Sequence, residues 1–194
     1  MSREDNGLAE WDERGQELLK EGTRAWEKGE RETAEALFQQ LLNEYPERPE
    51  GYNKVGVIFA ETGQLQEAEQ YFLTALSKDR MHAPSLTNLG NIYLERGDME
   101  QAIQHYMLAL QSDPDYPPAH RNLGVAYRRQ GKYSSFVSHF KRSQKLDERR
   151  TREEFRKNRG QARLGRPGSR PLPSYIWIVL AAIGLVIILT VFKR

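Results

Sequence analysis

Apolar and small residues recur along the chain at intervals of 34 residues. The recurring positions are Ala34, Ala68 and Ala102; Phe38, Phe72, Tyr106 and Phe140; Gly22, Gly56, Gly90 and Gly124; and Gly29, Gly63, Gly97 and Gly131. A fixed period of this length is typical of a repeat architecture in which neighbouring units stack. The pattern divides the chain into four units, 15–48, 49–82, 83–116 and 117–150.

Within each unit the apolar positions predict two helices of about 13 residues with a sharp turn between them. In the third unit, Pro84 suits the first turn of the first helix, and Gly97 suits a left-handed stop conformation. Asp98 and Gln101 have the spacing of a capping box that begins the second helix. One unit cannot bury its apolar stripe alone, so we expect an all-α array of stacked units.

The spacing and residue types resemble the tetratricopeptide repeat, whose pattern is W-x2-L-G-x2-Y followed by Ala, Phe and Pro. The third unit matches it best, through Leu86, Leu89, Gly90, Tyr93, Ala102, Tyr106 and Pro114. The resemblance covers residues 15–150 and implies a right-handed superhelix with a concave groove lined mostly by the first helix of each unit. The fourth unit departs from the pattern, because Phe136 and Ser143 occupy two alanine positions. This leaves open how its second helix packs and whether it continues into 149–156.

The resemblance also implies where a partner binds, since asparagines on the first helices of this family often hold an extended peptide by its backbone. The corresponding positions here are Lys20, Lys54, Asn88 and Asn122. We therefore expect Asn88, Asn91 and Asn122 to bond to a partner's backbone, and Lys54 and Arg121 to pair with its acidic groups. Asn53, in a neighbouring column of the groove, completes the set of residues predicted to bind the partner. The alternative is that these are ordinary solvated residues of the helices.

Charge is unevenly distributed, although the net charge of the chain is only +2. Residues 1–148 carry 18 basic and 25 acidic residues, whereas 149–194 carry 11 and 2. Residues 1–14 form an acidic extension, and the segment 151–174 is predicted to be an Arg-rich helix that caps the last repeat, followed by a spacer. A basic segment beside a membrane attracts anionic lipid headgroups. Nucleic acid is disfavoured as its partner, because the only interleaved aromatic residue is Phe155.

Residues 175–192 predict a transmembrane helix, since they are 18 residues without a charge and span about 27 Å at about 1.5 Å per residue. Tyr175 and Trp177 suit one membrane interface, and Lys193 and Arg194 follow the span as a basic tail. The excess of basic residues before the span predicts a single-pass, tail-anchored protein whose N-terminal domain faces the cytoplasm. A bacterial inner membrane is the favoured location, with an organelle outer membrane as the alternative.

The sequence does not favour an enzyme, a cofactor or a metal site. It has no cysteine, no phosphate-binding loop and no nucleophile motif. His105 and His139, which lie one repeat apart, have no carboxylate or thiol at ligand spacing, and His82 and His120 are scattered. We expect a membrane-anchored adaptor that recruits a partner protein through its groove. The alternative is a lipid- or RNA-tethering protein that acts through the Arg-rich segment, with repeats that form homo-oligomers.

Overall fold

The structure of the protein is a computed structural model, and it describes residues 13–164. Within that range the chain is entirely helical and contains no strand. In chain order the helices are α1 (Glu13–Glu27), α2 (Arg31–Glu44), α3 (Pro49–Glu61), α4 (Leu65–Lys78), α5 (Ala83–Glu95), α6 (Met99–Ser112), α7 (Pro117–Arg129) and α8 (Tyr133–Leu164). We call the odd-numbered helices the A helices and the even-numbered helices the B helices.

Local signals explain where the helices begin and end. The helices α3, α5 and α7 begin 34 residues apart, each with a proline in its first two positions, where no backbone N–H is needed. The turn after each A helix contains a glycine with positive φ, for example 85° at Gly97. At the start of α6, Asp98 accepts a hydrogen bond of 3.2 Å from the backbone N–H of Gln101. The predicted pairs of helices joined by a sharp turn are therefore confirmed, except that the last helix has 32 residues and not about 13.

The A and B helices of the first three units pack through a contact between an aromatic ring and a glycine. The rings of Phe38, Phe72 and Tyr106 are almost completely buried. Each ring lies directly on a glycine of the A helix. In the third unit, for example, a Cβ atom at Gly90 would be 2.5 Å from Cε1 of Tyr106. The alanine one turn earlier in each B helix is also fully buried. Small residues thus bring the two helices together, and the ring fills the space that remains.

The fourth unit packs differently. Phe136 stands where the other units have a fully buried alanine, and its bulk prevents α8 from lying equally close to α7. Phe140 is accordingly 37% exposed, whereas its three counterparts are buried. A Cβ atom at Gly124 would meet its nearest neighbour, the carbonyl oxygen of Phe136, at 3.4 Å.

Residues 13–147 belong to one compact unit of the chain, and 148–164 to a second. The second unit comprises the later part of α8, which is a single helix from Tyr133 to Leu164. It contains ion pairs one turn apart, from Arg149 to Glu153 at 2.9 Å and from Arg152 to Glu148 at 3.4 Å. Phe155 is exposed.

No helix in 13–164 is long and apolar enough to cross a bilayer. The predicted membrane segment 175–192, with Tyr175, Trp177, Lys193 and Arg194 at its ends, lies outside the described residues, as does the extension up to residue 12.

The difference between the fourth unit and the others predicts opposite effects for one substitution at two positions. Gly90→Ala should lower the thermal midpoint of unfolding, because the new methyl group overlaps Tyr106 and overpacking costs about 1–3 kcal/mol. Gly124→Ala should leave the midpoint unchanged or raise it, since alanine favours a helix over glycine by about 1 kcal/mol. Far-UV circular dichroism of the two variants measures this difference, and equal destabilisation would contradict it.

Candidate functional site

The A helices lie side by side, with α1 packed on α3, α3 on α5 and α5 on α7. The clefts between them form a surface that we call the A-helix groove. The first cleft, between α1 and α3, has a volume of about 630 Å³ and is named the N-terminal cleft. The next, between α3 and α5, is about 300 Å³ and is lined by Asn88 and Asn91 together with the apolar side chains of Val57 and Ile92.

Cationic side chains line the N-terminal cleft beside the apolar side chain of Leu19. Lys20 and Arg24 of α1 and Lys54 of α3 line it together with Leu19 and Thr23. None of these three cations has a hydrogen bond or an ion pair from its side chain to any residue in 13–164. Elsewhere in that range bases pair with acids far away in the sequence, as Lys78 does with Glu47 at 2.9 Å and Arg96 with Glu69 at 2.6 Å. The cleft therefore concentrates positive charge that the described chain does not pair.

Lys54 is the most enclosed of these cations. Burial lowers the pKa of its ammonium group, while the Glu27 carboxylate acts in the opposite direction. Glu27 and Glu50 also line the cleft, so its charge is mixed, with bases in excess. An anionic group entering the cleft would meet a cation already partly removed from water, where a charge-assisted hydrogen bond is stronger than at an open surface.

Asn53 and Asn88 belong to one buried hydrogen-bond network between the second and third units. Asn53 is only 7% exposed. Its carbonyl Oδ1 accepts a hydrogen bond of 2.9 Å from Nδ2 of Asn88 and one of 3.1 Å from the hydroxyl of Ser85. Because the Ser85 proton points to Asn53, Nδ1 of His82 donates to Ser85 Oγ over 2.8 Å. The network holds α3 and α5 in register.

Asn91 and Asn122 form the corresponding network one unit later. Oδ1 of Asn91 accepts a hydrogen bond of 2.7 Å from Nδ2 of Asn122 and one of 2.8 Å from the hydroxyl of Tyr106. Burial raises the pKa of that phenol, so it remains a donor at neutral pH. Asn122 of α7 is thereby tied to α5, and Tyr106 ties α6 to the same residue.

The six residues predicted for partner binding thus fall into three environments. The four asparagines hold the A helices together in pairs, Lys54 lies in the N-terminal cleft, and Arg121 is exposed and bonded to Asp147 at 2.6 Å. Partner binding by these residues stays a prediction. The sequence reasoning missed Lys20 and Arg24 as companions of Lys54, although Lys20 and Lys54 occupy the same column of the repeat.

Outside the A-helix groove, a cleft of about 720 Å³ lies between α6, α7 and α8. It is lined by Met107, Leu123, Tyr127 and His139 among others. The equivalent cleft of the first two units is about 260 Å³. The sequence analysis also missed a histidine pair there, with Nδ1 of His120 and Nδ1 of His139 2.9 Å apart. Nε2 of His120 donates to the carbonyl oxygen of Pro114 over 3.0 Å. The two Nδ1 atoms share one hydrogen bond, so one of the two rings donates to the other.

Within 13–164 no group of three or more histidine, aspartate or glutamate side chains could hold a metal ion. The side chains that line the A-helix groove offer hydrogen bonding, ion pairing and apolar contact.

Two family models match the chain. One, described as a tetratricopeptide repeat, matches residues 19–84, and one described as a TPR repeat matches 90–131. Together they match more than half of the sequence. No curated protein sequence matches the chain significantly.

Solved structures with a similar fold include several repeat proteins. A chain of the APC/C hetero-tetramer Cut9–Hcn1 has a TM-score of 0.63 at 19% identity, over 68% of this chain and 27% of that one. PilF of Pseudomonas aeruginosa has a TM-score of 0.61 at 24% identity, over 71% and 63%. A thermophilic TPR protein of Thermus thermophilus has a TM-score of 0.60 at 23% identity, over 69% and 75%. At these identities the likeness concerns the fold.

The buried network at Asn53 predicts a loss of stability when its acceptor is removed. Asn53→Ala leaves the hydroxyl of Ser85 and the amide of Asn88 without their partner, which should cost about 1–3 kcal/mol. Asn43→Ala, on the exposed surface of α2, is the matched control and should have little effect. Thermal unfolding measures both, and equal midpoints would contradict a structural role for Asn53.

The lowered pKa values of two histidines predict that the fold is less stable in mild acid. Burial lowers the pKa of His82 and of His139, and the neighbouring His120 lowers that of His139 further. The unfolded chain, with ordinary histidine pKa values near 6.5, then binds protons more readily than the folded chain. Stability should be full above about pH 6.5 and should fall as the pH drops from there through the lowered values.

Urea unfolding between about pH 7.5 and about pH 5.5 tests this dependence. The double variant His82→Gln, His139→Gln should show a smaller change in midpoint over the same interval. A wild-type chain that becomes more stable in acid, or an unchanged slope in the double variant, would contradict the assignment.

Proposed function

The residues matched by the two repeat models, 19–84 and 90–131, place this chain in the tetratricopeptide-repeat family, and on that premise we propose that it is a membrane-tethered adaptor. Its A-helix groove binds an extended or helical segment of a partner protein. The tether is the apolar segment 175–192, and the repeats lie on the cytoplasmic side.

The observation that carries this proposal is the set of unpaired cations in the N-terminal cleft. Lys20, Arg24 and Lys54 line one cleft together with the apolar side chain of Leu19. No acid within 13–164 forms an ion pair with any of the three cations. A partner segment with an acidic residue next to an apolar one matches this arrangement. The acid would pair with Lys54 or Arg24, and the apolar side chain would lie on Leu19.

The asparagines have a second role in this proposal. Asn88 donates one amide proton to Asn53, and Asn122 donates one to Asn91. Each retains a second amide proton and its own carbonyl oxygen, which is the donor and acceptor set that a peptide backbone requires. Because the inter-repeat bonds orient these amides in advance, little conformational entropy is lost when a partner binds.

The membrane part of the proposal rests on the sequence. The span 175–192 is uncharged, and nine basic residues in 149–170 precede it. Those bases would lie near anionic headgroups, each contributing about 1 kcal/mol of attraction. Confinement to a membrane raises the effective concentration of the groove for partners in the same bilayer.

Arg24→Glu should reduce partner capture from detergent-solubilised membranes, because it places a carboxylate in the cleft that receives the partner's acid. We expect recovery of a discrete partner to fall by about tenfold or more, the effect of roughly 1.4 kcal/mol. Arg80→Glu is the matched control, since Arg80 is also an exposed arginine without an ion pair to the described residues, and it lies outside the cleft.

A third variant, with the arginines of 149–170 neutralised, separates the groove from the basic segment. It should retain the partner. If capture instead depends on these arginines and is abolished by nuclease or by salt, the chain acts through its basic segment and the groove proposal is wrong.

A further inference from the structure

The B helix of the third unit shows what normally covers a B helix in this array. Met99 and Ile103 of α6 pack in the same apolar cluster as Leu123 and Ala126 of α7. The A helix of the following unit thus shares an apolar cluster with this stripe of the preceding B helix. One repeat later, the residues in the same columns are Tyr133 and Val137 of α8.

In α8 this stripe is uncovered. Tyr133 is 66% exposed and Val137 43%, and Phe140, which follows them on the same side of the helix, is also exposed. The chain does not turn after this stripe but continues as one helix to Leu164, so the described residues supply no following A helix. We call Tyr133, Val137 and Phe140 the C-terminal stripe.

The surroundings of the C-terminal stripe are basic. Lys141 follows Val137 by one helical turn, and Lys145 follows Lys141 by another. Neither lysine has a hydrogen bond or an ion pair to the residues in 13–164. On the side of α7, the guanidinium of Arg128 lies 5.5 Å from the ring centre of Phe136. A ligand of this stripe would therefore be apolar along its centre and acidic along its edges.

The first helix of a second copy does not have this chemistry. The positions of α1 that correspond to Ala119, Leu123 and Ala126 of α7 are Glu17, Glu21 and Arg24, and all three are exposed. A head-to-tail contact would press charged groups directly on Tyr133 and Val137, which is costly without pairing. The two ends of the array thus differ, because the first helix exposes charged residues at these positions and the last helix exposes an apolar stripe.

We propose that the C-terminal stripe binds an amphipathic helix of a partner protein, one with small and leucine-sized residues facing the stripe and acidic residues on both flanks. The helix takes the place that α7 takes on α6. This surface is separate from the A-helix groove, so the chain would bind two protein segments at once.

A peptide copied from α7 tests the proposal. The probe is residues 117–129 with Arg121→Glu, Arg128→Glu and Arg129→Glu, stapled to hold it helical and carrying a fluorophore. Its control is the same stapled peptide with the natural arginines. Fluorescence anisotropy measures binding to the full chain in phosphatidylcholine nanodiscs, with empty nanodiscs as the blank.

The acidic peptide should bind at least tenfold more tightly than the basic one. Val137→Glu should weaken its binding at least tenfold, whereas Leu73→Glu should not, although Leu73 of α4 is similarly exposed at 45%. Lys141→Glu with Lys145→Glu should also weaken the acidic peptide and strengthen the basic one, which tests the charge independently of the apolar contact. Arg24→Glu in the groove should change none of these affinities.

Three results would overturn the proposal. The first is that the acidic peptide does not bind. The second is that Val137→Glu and Leu73→Glu weaken its binding equally. The third is that phosphatidylserine added to the nanodiscs displaces the peptide. The last would mean that the stripe takes anionic lipid in preference to a protein helix.

Discussion

The contact between an aromatic ring of each B helix and a glycine of its A helix is the constraint on which the rest of the structure depends. In the first three units the ring occupies the space that a Cβ atom would fill. This sets a short distance between the two helices and aligns their side chains. At Tyr106 the same contact brings the phenol within 2.8 Å of Asn91, so the packing of the core also completes a hydrogen-bond network at the A-helix groove.

The groove combines two kinds of polar group with different consequences. Its asparagines satisfy one another across the boundaries between repeats, which stabilises the register of the A helices. The cations of the N-terminal cleft form no ion pair within the described chain. Lys54 is partly desolvated, and the Glu27 carboxylate offsets only part of that cost. Stability is therefore concentrated at the asparagines, and the capacity for electrostatic recognition is concentrated at the N-terminal cleft.

A single large side chain makes the last unit different. Phe136 replaces an alanine that is fully buried in the other units, so α8 packs on α7 through Phe136 and His139 and not through the ring of Phe140. The cleft beside α8 is correspondingly larger than its counterpart in the first two units. The apolar stripe of α8 is left exposed at the end where the repeats stop. The departure from the repeat pattern thus accompanies a larger cleft and an exposed Phe140 ring in the last unit.

The sequence by itself determined the helix pairs of the first three units, because proline, glycine and capping residues act over a few neighbours and the 34-residue period repeats them. It left open the length of the last helix, which the structure extends to Leu164. It also identified the A helices as the source of the groove residues and marked Phe136 as a departure. Only the tertiary structure decided that Asn88 bonds to Asn53 whereas Asn122 bonds to Asn91, and that His120 meets His139. Residues in equivalent columns found different partners, since a side-chain hydrogen bond forms only within about 3 Å and the distance between helices depends on every packed residue between them.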